Sequence, residues 1–429
     1  MADHRFGFDT LCLHAGQIPD AATGARALPI YQTTSFVFDS ADHAASLFNL
    51  QTFGNVYSRI SNPTVAALEE RVAALEGGRA ALAAATGMAA QTVALLTLCR
   101  SGDHVVAART LYGGTYSQLA VTFAQLGIDA TFVDSDEPDN FRHACKDNTK
   151  ALYVETIGNP QLNVADLEAI AAIARAAGVP LVVDNTLASP YLCRPFEHGA
   201  DIVIHSLTKY LGGHGTTMGG VVVESGKFPW DNGRFPQMTE PSRGYHGVRF
   251  FETFGDFGFT MKARMEAMRT LGPTLSPLSA FLLLQGIETL HLRMPRHCES
   301  ALVIAQHLAM HPQIDWVHYP LLPGNRYEPL ARKYLPRGAG GILTFGVKGG
   351  AAAGVRFIEA VQMLSHLANV GDAKTLVIHP ASTTHRQLSD DEQRAAGVEP
   401  EMIRLSVGLE TLSDILWDLD QALEKAKAP

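Results

Sequence analysis

Short, continuously apolar runs alternate with helical stretches through the middle of the chain, and this pattern restricts the fold more than any other. Helical stretches at 115–126 and 164–177 separate several of the runs. Buried strands separated by helices are typical of a mostly parallel sheet covered on both faces, so an α/β protein is predicted. The last run follows a loop, which leaves an antiparallel direction open to it. The six predicted strands are 104–107, 130–133, 151–154, 181–184, 201–204 and 220–223.

The regions on either side of this core differ from it. Residues 1–61 show no sustained hydrophobic period and are predicted to form an arm. Residues 62–293 are assigned to a large domain whose first helix begins at Pro63 and ends at Gly77-Gly78. Residues 294–429 mix helices with strands at 341–346 and 402–408, which predicts a smaller α+β domain. Residues 229–255 are rich in glycine, proline and aromatic residues and are interpreted as a long surface insertion.

Composition excludes several classes of function. The 429 residues carry a net charge of −9 and no Lys/Arg-rich run, which argues against nucleic-acid binding. Five scattered cysteines and an N-terminus without an apolar signal favour the cytoplasm. Residues 80–98 are too rich in alanine for a membrane span and are predicted to be a loop followed by a buried helix. The 17 histidines form no tight ligand cluster in the sequence, so no metal is expected.

Polar side chains follow two predicted strands where each one ends. Asp184 closes one apolar run, and Ser206, Thr208 and Lys209 follow the next. Ligands of open α/β sheets bind at the carboxyl ends of strands, so these side chains are expected to share a site. Taken singly, each of them is more often a cap or a solvated charge, and Ser-x-Thr-Lys alone is a weak motif.

The combination matches what pyridoxal 5′-phosphate (PLP) requires. The cofactor needs a lysine amine for a Schiff base, here Lys209, and a carboxylate against the pyridine nitrogen, here Asp184. Its phosphate needs donors, which the start of the helix at Gly87 and Met88 supplies through backbone N–H groups. Tyr112, in a Leu-Tyr-Gly-Gly turn, offers a flat face for the ring.

Over essentially its whole length the chain resembles the Cys/Met-metabolism family of PLP-dependent enzymes. The resemblance implies a PLP-dependent transferase fold (fold type I) with a mostly parallel central sheet and a smaller α+β C-terminal domain. It also implies a homotetramer built as a dimer of dimers. The motifs that carry it are VYSRISNPT at 56–64, TGMAA at 86–90, LYGG at 111–114, ETIGNP at 155–160, VDNT at 183–186, HSLTKY at 205–210, HPASTTH at 379–385 and IRLSVGLE at 403–410.

The resemblance also implies roles at individual positions. Lys209, Tyr112 and Asp184 would be catalytic: Lys209 would hold PLP and move protons, and Tyr112 would stack on the ring. Asn159 would lie near the 3′-oxygen of the cofactor, and Arg404 would bind the substrate α-carboxylate. The residues implied to contact the cofactor phosphate are Gly87, Met88, Ser206 and Thr208 of the same subunit, and Tyr57 and Arg59 of the arm of a neighbouring subunit.

Three details separate branches within the family. The segment ANVGDAK at 368–374, with Asn369 as a substrate-binding residue, and the insertion beginning FPWDNGRFP at 228–236 both resemble the O-acetylhomoserine sulfhydrylase branch. Gly114 stands where methionine γ-lyases place a cysteine. The implied reaction is γ-replacement on O-acetyl-L-homoserine by sulfide or methanethiol, giving homocysteine or methionine. The alternatives are an O-succinylhomoserine sulfhydrylase, a cystathionine γ-synthase, a methionine γ-lyase, and a binding protein that has lost the cofactor.

Overall fold

A computed structural model describes residues 4–383, 386 and 397–427. The last two residues of the HPASTTH motif lie outside the described residues. The strands are β1 Ala80–Ala84, β2 His104–Ala108, β3 Asp129–Val133, β4 Thr149–Glu155, β5 Leu181–Asp184, β6 Ile202–Ser206, β7 Gly220–Glu224, β8 Ile314–His318, β9 Ile342–Val347, β10 Ser365–His366, β11 Leu376–Ile378 and β12 Met402–Ser406.

The helices surround two sheets that these strands form. Within the described ranges none of the helices combines the length and hydrophobicity that a membrane span requires. The α-helices are α1 Phe8–His14, α2 Ala41–Phe48, α3 Pro63–Glu76, α4 Gly87–Leu98, α5 Gly113–Ser117, α6 Asp139–Ala144, α7 Leu167–Ala177, α8 Ser189–Leu192, α9 Pro236–Thr239, α10 Phe250–Phe254, α11 Gly258–Lys262, α12 Arg269–Leu271, α13 Pro277–Glu288, α14 Leu290–Met310, α15 Glu328–Tyr334, α16 Gly350–Ala360 and α17 Leu412–Ala426.

The larger sheet has seven strands in the order β1-β7-β6-β5-β4-β2-β3. All pairings from β6 to β3 are parallel, and β7 runs antiparallel to both of its neighbours. The predicted strands are therefore confirmed, as is the antiparallel direction that was open to 220–223. Each of β2, β5, β6 and β7 is almost completely buried, as expected for a sheet with helices on both faces.

The prediction of a loop at the start of 80–98 is wrong. Residues Ala80–Ala84 form β1, which pairs antiparallel with β7 along its whole length before α4 begins at Gly87. Alanine has a low strand propensity, so the local sequence does not announce this strand. Four of its five residues are buried. Pairing with β7 and packing against α3 therefore stabilise the strand, although the intrinsic propensity of alanine does not favour it.

Helices α3 and α7 show how local signals set the limits of an element. Helix α3 begins with Pro63 after the Asn62 cap and ends where Gly77 adopts a left-handed conformation, as predicted. Helix α7 begins at Leu167, three residues later than predicted, because the Asp166 side chain caps it. The predicted helix 115–126 is α5 followed by a π-helical segment, Gln118–Phe123.

The smaller sheet contains five strands in the order β10-β11-β12-β9-β8. The predicted strands near 341–346 and 402–408 are its central pair, β9 and β12. Helix α14 spans the predicted boundary between residues 293 and 294, so a continuous helix joins the regions that carry the two sheets. The division into 1–61, 62–293 and 294–429 remains a proposal.

The interpretation of 229–255 as a surface insertion is wrong for its aromatic residues. Trp230 and Phe235 are buried, and the Trp230 ring stacks on Phe259 of α11 at 5.4 Å between centroids. Tyr245 and Phe250 are also buried. Aromatic side chains bury large apolar areas, so this segment adds a hydrophobic cluster beside the large sheet.

Candidate active site

Lys209 lies in the turn that follows β6, and its amine is half-buried. Its backbone N–H donates to the Ser206 carbonyl at 3.2 Å, and its Nζ donates to Asn369 Oδ1 at 2.5 Å. Burial, followed by the positive charge of Arg404, lowers the pKa of Lys209 to about 8. A lysine with such a pKa is a neutral amine roughly a tenth of the time at pH 7, far more often than an ordinary lysine, and only the neutral amine acts as a nucleophile or base.

Asp184 ends β5, next to the end of β6 that carries Ser206. Its Oδ1 accepts the backbone N–H of Thr186 at 2.9 Å, which orients the carboxyl group. Burial raises the pKa of Asp184, and the hydrogen bonds from Thr186 oppose that rise. A buried carboxyl group held in one orientation is suited to face a cationic ring nitrogen, since the opposite charge would offset its desolvation.

The start of α4 lies directly against the end of β6. The Thr86 side chain caps the helix by accepting the Ala89 N–H at 3.0 Å. A Cβ atom on Gly87 would come within 2.7 Å of Ser206 Cβ, so only glycine allows this close approach. Met88 follows Gly87 in the first turn, where helix N–H groups have no partner within the helix. This corner therefore combines helix N–H groups with a serine hydroxyl, which is a suitable donor set for a phosphate.

Thr208 stands beside this corner and is tied to the loop before β7. Its Oγ1 accepts the Gly219 N–H at 3.1 Å. The Thr186 hydroxyl on the other side accepts the Ser206 N–H at 2.8 Å. Both hydroxyl groups are thus held in place by backbone atoms.

Sequence reasoning missed Glu155, which holds two of the predicted residues in place. It is buried at the end of β4, where its register partner on β5 is Asp184. Its Oε1 accepts the Tyr112 N–H at 2.7 Å, and its Oε2 accepts the Asn159 N–H at 3.2 Å. Burial, followed by the negative charge of Asp184, raises the pKa of Glu155 well above its ordinary value. The only sequence signal was its place at the start of the ETIGNP motif, which does not reveal that its partners are backbone groups.

The Tyr112 side chain is about half exposed and lies across the start of α5. A Cβ atom on Gly114 would come within 2.5 Å of Tyr112 Cε1. The absence of a side chain at Gly114 therefore makes room for the tyrosine ring in its present position.

Arg404 reaches the site from β12 of the smaller sheet. It is only 8% exposed, and its Nη1 donates to Asn159 Oδ1 at 3.1 Å. Burial lowers the pKa of Arg404 to about 10. No carboxylate within residues 4–383, 386 and 397–427 forms an ion pair with its guanidinium. A buried cation of this kind is suited to bind a substrate carboxylate.

Asn369 lies in the segment 368–374 that precedes β11. The same segment contacts the backbone around Lys209, because a Cβ atom on Gly371 would come within 2.7 Å of Tyr210 N. Gly371 N also donates to Ser406 Oγ at 2.9 Å. These contacts bring a predicted substrate-binding residue of the smaller sheet to the lysine of the larger one.

Tyr57 and Arg59 are exposed on the arm, where the Arg59 guanidinium lies 5.4 Å from the centroid of the Tyr57 ring. No hydrogen bond or ion pair between described residues joins either side chain to Lys209 or Asp184. Their predicted contact with another subunit's cofactor stays a prediction.

The residues that the structure brings together at the site fit PLP. Lys209 supplies an amine of lowered pKa, and Asp184 supplies a buried carboxyl group at the neighbouring strand end. The corner between Gly87 and Ser206 leaves room for a phosphate near helix N–H groups, and Tyr112 offers an exposed aromatic face. Amine, acid, anion site and ring face are the four groups that this cofactor requires.

Comparison with protein families gives a match over residues 9–424 to the family described as Cys/Met metabolism PLP-dependent enzyme. The chain belongs to this family. Membership of the Cys/Met metabolism family makes PLP the cofactor of this enzyme, and small molecules its substrates.

Similar proteins of this family share most of the sequence. The O-acetyl-L-homoserine sulfhydrylase of Leptospira meyeri is 53% identical over 425 residues, which are 97% of this chain and 96% of that protein. The homocysteine synthase of Schizosaccharomyces pombe is 53% identical over 422 residues, 98% of each chain.

Solved structures confirm the predicted fold class. A putative O-acetylhomoserine (thiol)-lyase from Campylobacter jejuni, with N′-pyridoxyl-lysine-5′-monophosphate, has a TM-score of 0.95 and 41% identity, covering 98% of this chain and 100% of that one. The metB protein of Corynebacterium glutamicum has a TM-score of 0.84 and 33% identity, covering 98% of this chain and 99% of that one.

Proposed function

We propose that the chain catalyses γ-replacement on O-acetyl-L-homoserine, with sulfide or methanethiol as the incoming nucleophile. The products are acetate and either L-homocysteine or methionine. One observation carries the proposal: the half-buried Lys209 is hydrogen-bonded to Asn369, and its pKa is lowered by the charge of Arg404. Asn369 and Arg404 are both suited to hold an amino-acid substrate. The two relatives named above, an O-acetyl-L-homoserine sulfhydrylase and a homocysteine synthase, support the choice of ester.

The residues divide the work of binding PLP. Lys209 would hold the cofactor covalently through Nζ, and Asp184 would keep the ring nitrogen protonated. Gly87, Met88, Ser206 and Thr208 would hold the phosphate, Tyr112 would support the face of the ring, and Asn159 would serve the 3′-oxygen. When bound in this way, PLP supplies an electron sink for negative charge that develops on substrate carbons.

The chain's own groups then carry the proton transfers. Arg404 holds the substrate α-carboxylate with its planar fork, and Asn369 orients the amine of Lys209. Lys209 Nζ, freed by the substrate amine, takes the proton from the substrate Cα. Once the Lys209 amine has released the Cα proton, it would take a proton from Cβ, and the electron pair left on Cβ lets the bond between Cγ and the ester oxygen break, so that acetate leaves with the bonding pair. Tyr112, the most exposed of these side chains, assists this departure.

Sulfide then forms a bond to Cγ, and protons are returned to Cβ and Cα. The Lys209 amine delivers the final proton and recovers its place at the cofactor. Its lowered pKa suits both directions of transfer, because the amine must be neutral as a base and cationic as an acid near neutral pH.

We also propose that the site is shared between subunits, with Tyr57 and Arg59 reaching the cofactor phosphate of a neighbour in a homotetramer. Their exposure on the arm supports this, since an arginine that forms no ion pair with another described residue can bind a phosphate bidentately. The proposed location is the cytoplasm, which suits the five free cysteines.

A matrix of substrates tests the reaction. The acetyl, succinyl and phospho esters of homoserine are each assayed with sulfide, methanethiol and cysteine. We expect the acetyl ester with sulfide or methanethiol to give the highest kcat/KM. A preference for the succinyl ester would instead show an O-succinylhomoserine sulfhydrylase, and a preference for cysteine would show a cystathionine γ-synthase. Oxo-acid release without an added thiol would show a γ-lyase.

The attachment point is tested separately. Borohydride reduction of the holoenzyme, followed by peptide mapping, is expected to place the label on the peptide that carries Lys209. Lys209→Ala should lose both the label and turnover. A label on a different lysine contradicts the assignment, whatever the substrate matrix shows.

A further inference from the structure

A buried network of polar side chains lies beneath the candidate site, and none of its members takes part in the mechanism above. Glu76, the last residue of α3, is completely buried. Its Oε1 accepts hydrogen bonds from Asn185 Nδ2 at 2.9 Å and His205 Nε2 at 2.5 Å. The Thr156 hydroxyl donates in turn to Asn185 Oδ1 at 2.8 Å. The four residues form one continuous set of hydrogen bonds.

The three members of this network that lie at or just past a strand end are each adjacent in sequence to a residue of the site. Thr156 follows Glu155, Asn185 follows Asp184, and His205 precedes Ser206. Side chains alternate between the two faces of a strand, so His205 points away from the face of Ser206. The network therefore spans the carboxyl ends of β4, β5 and β6 from the side opposite the phosphate corner.

A carboxylate without exposure is costly to bury, which makes a packing role alone a poor explanation for Glu76. Its two bonds both involve a single oxygen, while Oε2 has no hydrogen-bond partner among the described residues. Asn185 uses its amide fully, since Nδ2 also donates to the Cys193 carbonyl at 2.9 Å. Glu76 therefore restrains mainly the ends of β5 and β6, the strands that carry Asp184 and Ser206.

We propose that Glu76 is a positioning residue of the cofactor site. Its carboxylate fixes the ends of β5 and β6 relative to each other through Asn185 and His205, and so sets the spacing between the acid for the ring nitrogen and the hydroxyl for the phosphate. This inference rests on the proposed function only in taking Asp184 and Ser206 as PLP ligands, and it needs no particular substrate.

The test compares Glu76→Leu with Glu76→Gln in the full-length protein, using PLP alone as the probe. Glutamine can keep an oxygen at the position of Oε1 and place its amide nitrogen where Oε2 has no partner, so both bonds survive. Leucine removes both. We expect Glu76→Leu to raise the Kd for PLP about tenfold and to change the circular dichroism of the bound cofactor, which reports the orientation of the ring. Glu76→Gln should restore both properties to near the wild-type values.

Glu224 provides a matched control, because it is a buried carboxylate at the opposite end of the same sheet, where its Oε1 accepts the Thr260 N–H at 2.7 Å. Glu224→Leu should lower the unfolding temperature without altering the Kd for PLP or the dichroism. If Glu76→Leu keeps the wild-type Kd and dichroism, or if Glu224→Leu changes them equally, the proposal is overturned.

Asn185→Ala keeps the proposal testable if Glu76→Leu does not fold. This variant removes the link from Glu76 to β5, together with the bonds of Asn185 to Thr156 and Cys193, and leaves the bond between Glu76 and His205. We expect a loss of affinity and a change in dichroism of the same kind as in Glu76→Leu, to a smaller extent. Wild-type values would overturn the proposal. Failure of the wild-type protein to convert O-acetyl-L-homoserine would contradict the proposed reaction but leave these cofactor measurements unaffected.

Discussion

Lys209 Nζ donates a hydrogen bond to Asn369 Oδ1 at 2.5 Å, and this bond connects the larger sheet to the segment that leads into the smaller one. Arg404, on the smaller sheet, is the charge that helps to lower the pKa of the same amine. The reactivity of Lys209 is therefore set by both sheets together.

The rate at which PLP attaches to the apoenzyme should depend on the pKa of Lys209. Only the neutral amine attacks the cofactor aldehyde, so the rate should rise with pH and level off above about 8. Arg404→Gln removes a positive charge that disfavours the ammonium form of Lys209, so the pKa of Lys209 should rise. The pH profile of PLP attachment in this variant should therefore move to higher pH. Stopped-flow absorbance after mixing with PLP measures both profiles.

Arg332→Gln serves as the control, because this arginine lies on α15 with an exposed side chain paired to Glu328. Its profile should match that of the wild type. A wild-type midpoint near 10.5, the ordinary value for lysine, would contradict the role of burial and of Arg404.

Glu155→Gln should lower activity although glutamine has nearly the same shape as glutamate. The two carboxylate oxygens accept N–H groups of Tyr112 and Asn159, and an amide nitrogen cannot accept either bond. One buried donor is left unpaired, at a cost of about 1–3 kcal/mol. We expect kcat/KM for O-acetyl-L-homoserine to fall about tenfold, with a change in cofactor dichroism. Glu137→Gln, an exposed position, should leave both unchanged; unchanged kinetics in Glu155→Gln would show that these bonds do not position the site.

Arg59→Ala and Lys209→Ala should complement each other if the site is shared. Each variant alone should show little activity, because Arg59→Ala loosens the phosphate and Lys209→Ala removes the attachment point. In a dimer that contains one chain of each variant, one site has both residues intact. Random mixing of equal amounts should therefore restore about one quarter of the wild-type activity.

The mixing is done by co-refolding or co-expression, with activity and PLP content measured on the purified product. Refolding each variant by itself is the control. No recovery in mixtures that form hybrid dimers would mean that Arg59 acts within its own chain or has no role at the cofactor.

Gly114→Ala should displace Tyr112 without unfolding the protein. The added Cβ would come within 2.5 Å of Tyr112 Cε1, and the half-exposed ring can move away at little cost. We expect kcat to fall and the dichroism of bound PLP to change, with little change in unfolding temperature. Gly113→Ala is the matched control, since a Cβ atom at that position meets nothing within 4 Å. Equal effects of the two substitutions would contradict a specific role for the space beside Tyr112.

Strands β2 to β7 and the positions of Asp184 and Lys209 at strand ends could be predicted because each depends on local pattern. Continuous apolar runs identify buried strands, and the polar residue after each run marks the edge where ligands bind. Strand β1 could not be predicted in this way, because an alanine run becomes a strand only when β7 pairs with it. The burial of Trp230 and Phe235 likewise depends on distant partners.

Glu155 and Glu76 show why the supporting part of a site is harder to predict than its ligands. Glu155 binds backbone N–H groups 43 and 4 residues away, and Glu76 bonds to side chains 109 and 129 residues away. A carboxylate at a helix end or strand end has the same local sequence signature whether it is solvated or buried. Only the tertiary structure shows which of them restrain the site.

The placement of the proposed bond-breaking groups on one sheet and of Arg404 and Asn369 on or beside the other has a consequence for how such enzymes diversify. Mutations at Asn369 or Arg404 can alter which amino acid is accepted, but they also change the hydrogen bond or the charge that acts on the Lys209 amine. A change of substrate made through these two residues is therefore coupled to a change in the reactivity of the lysine.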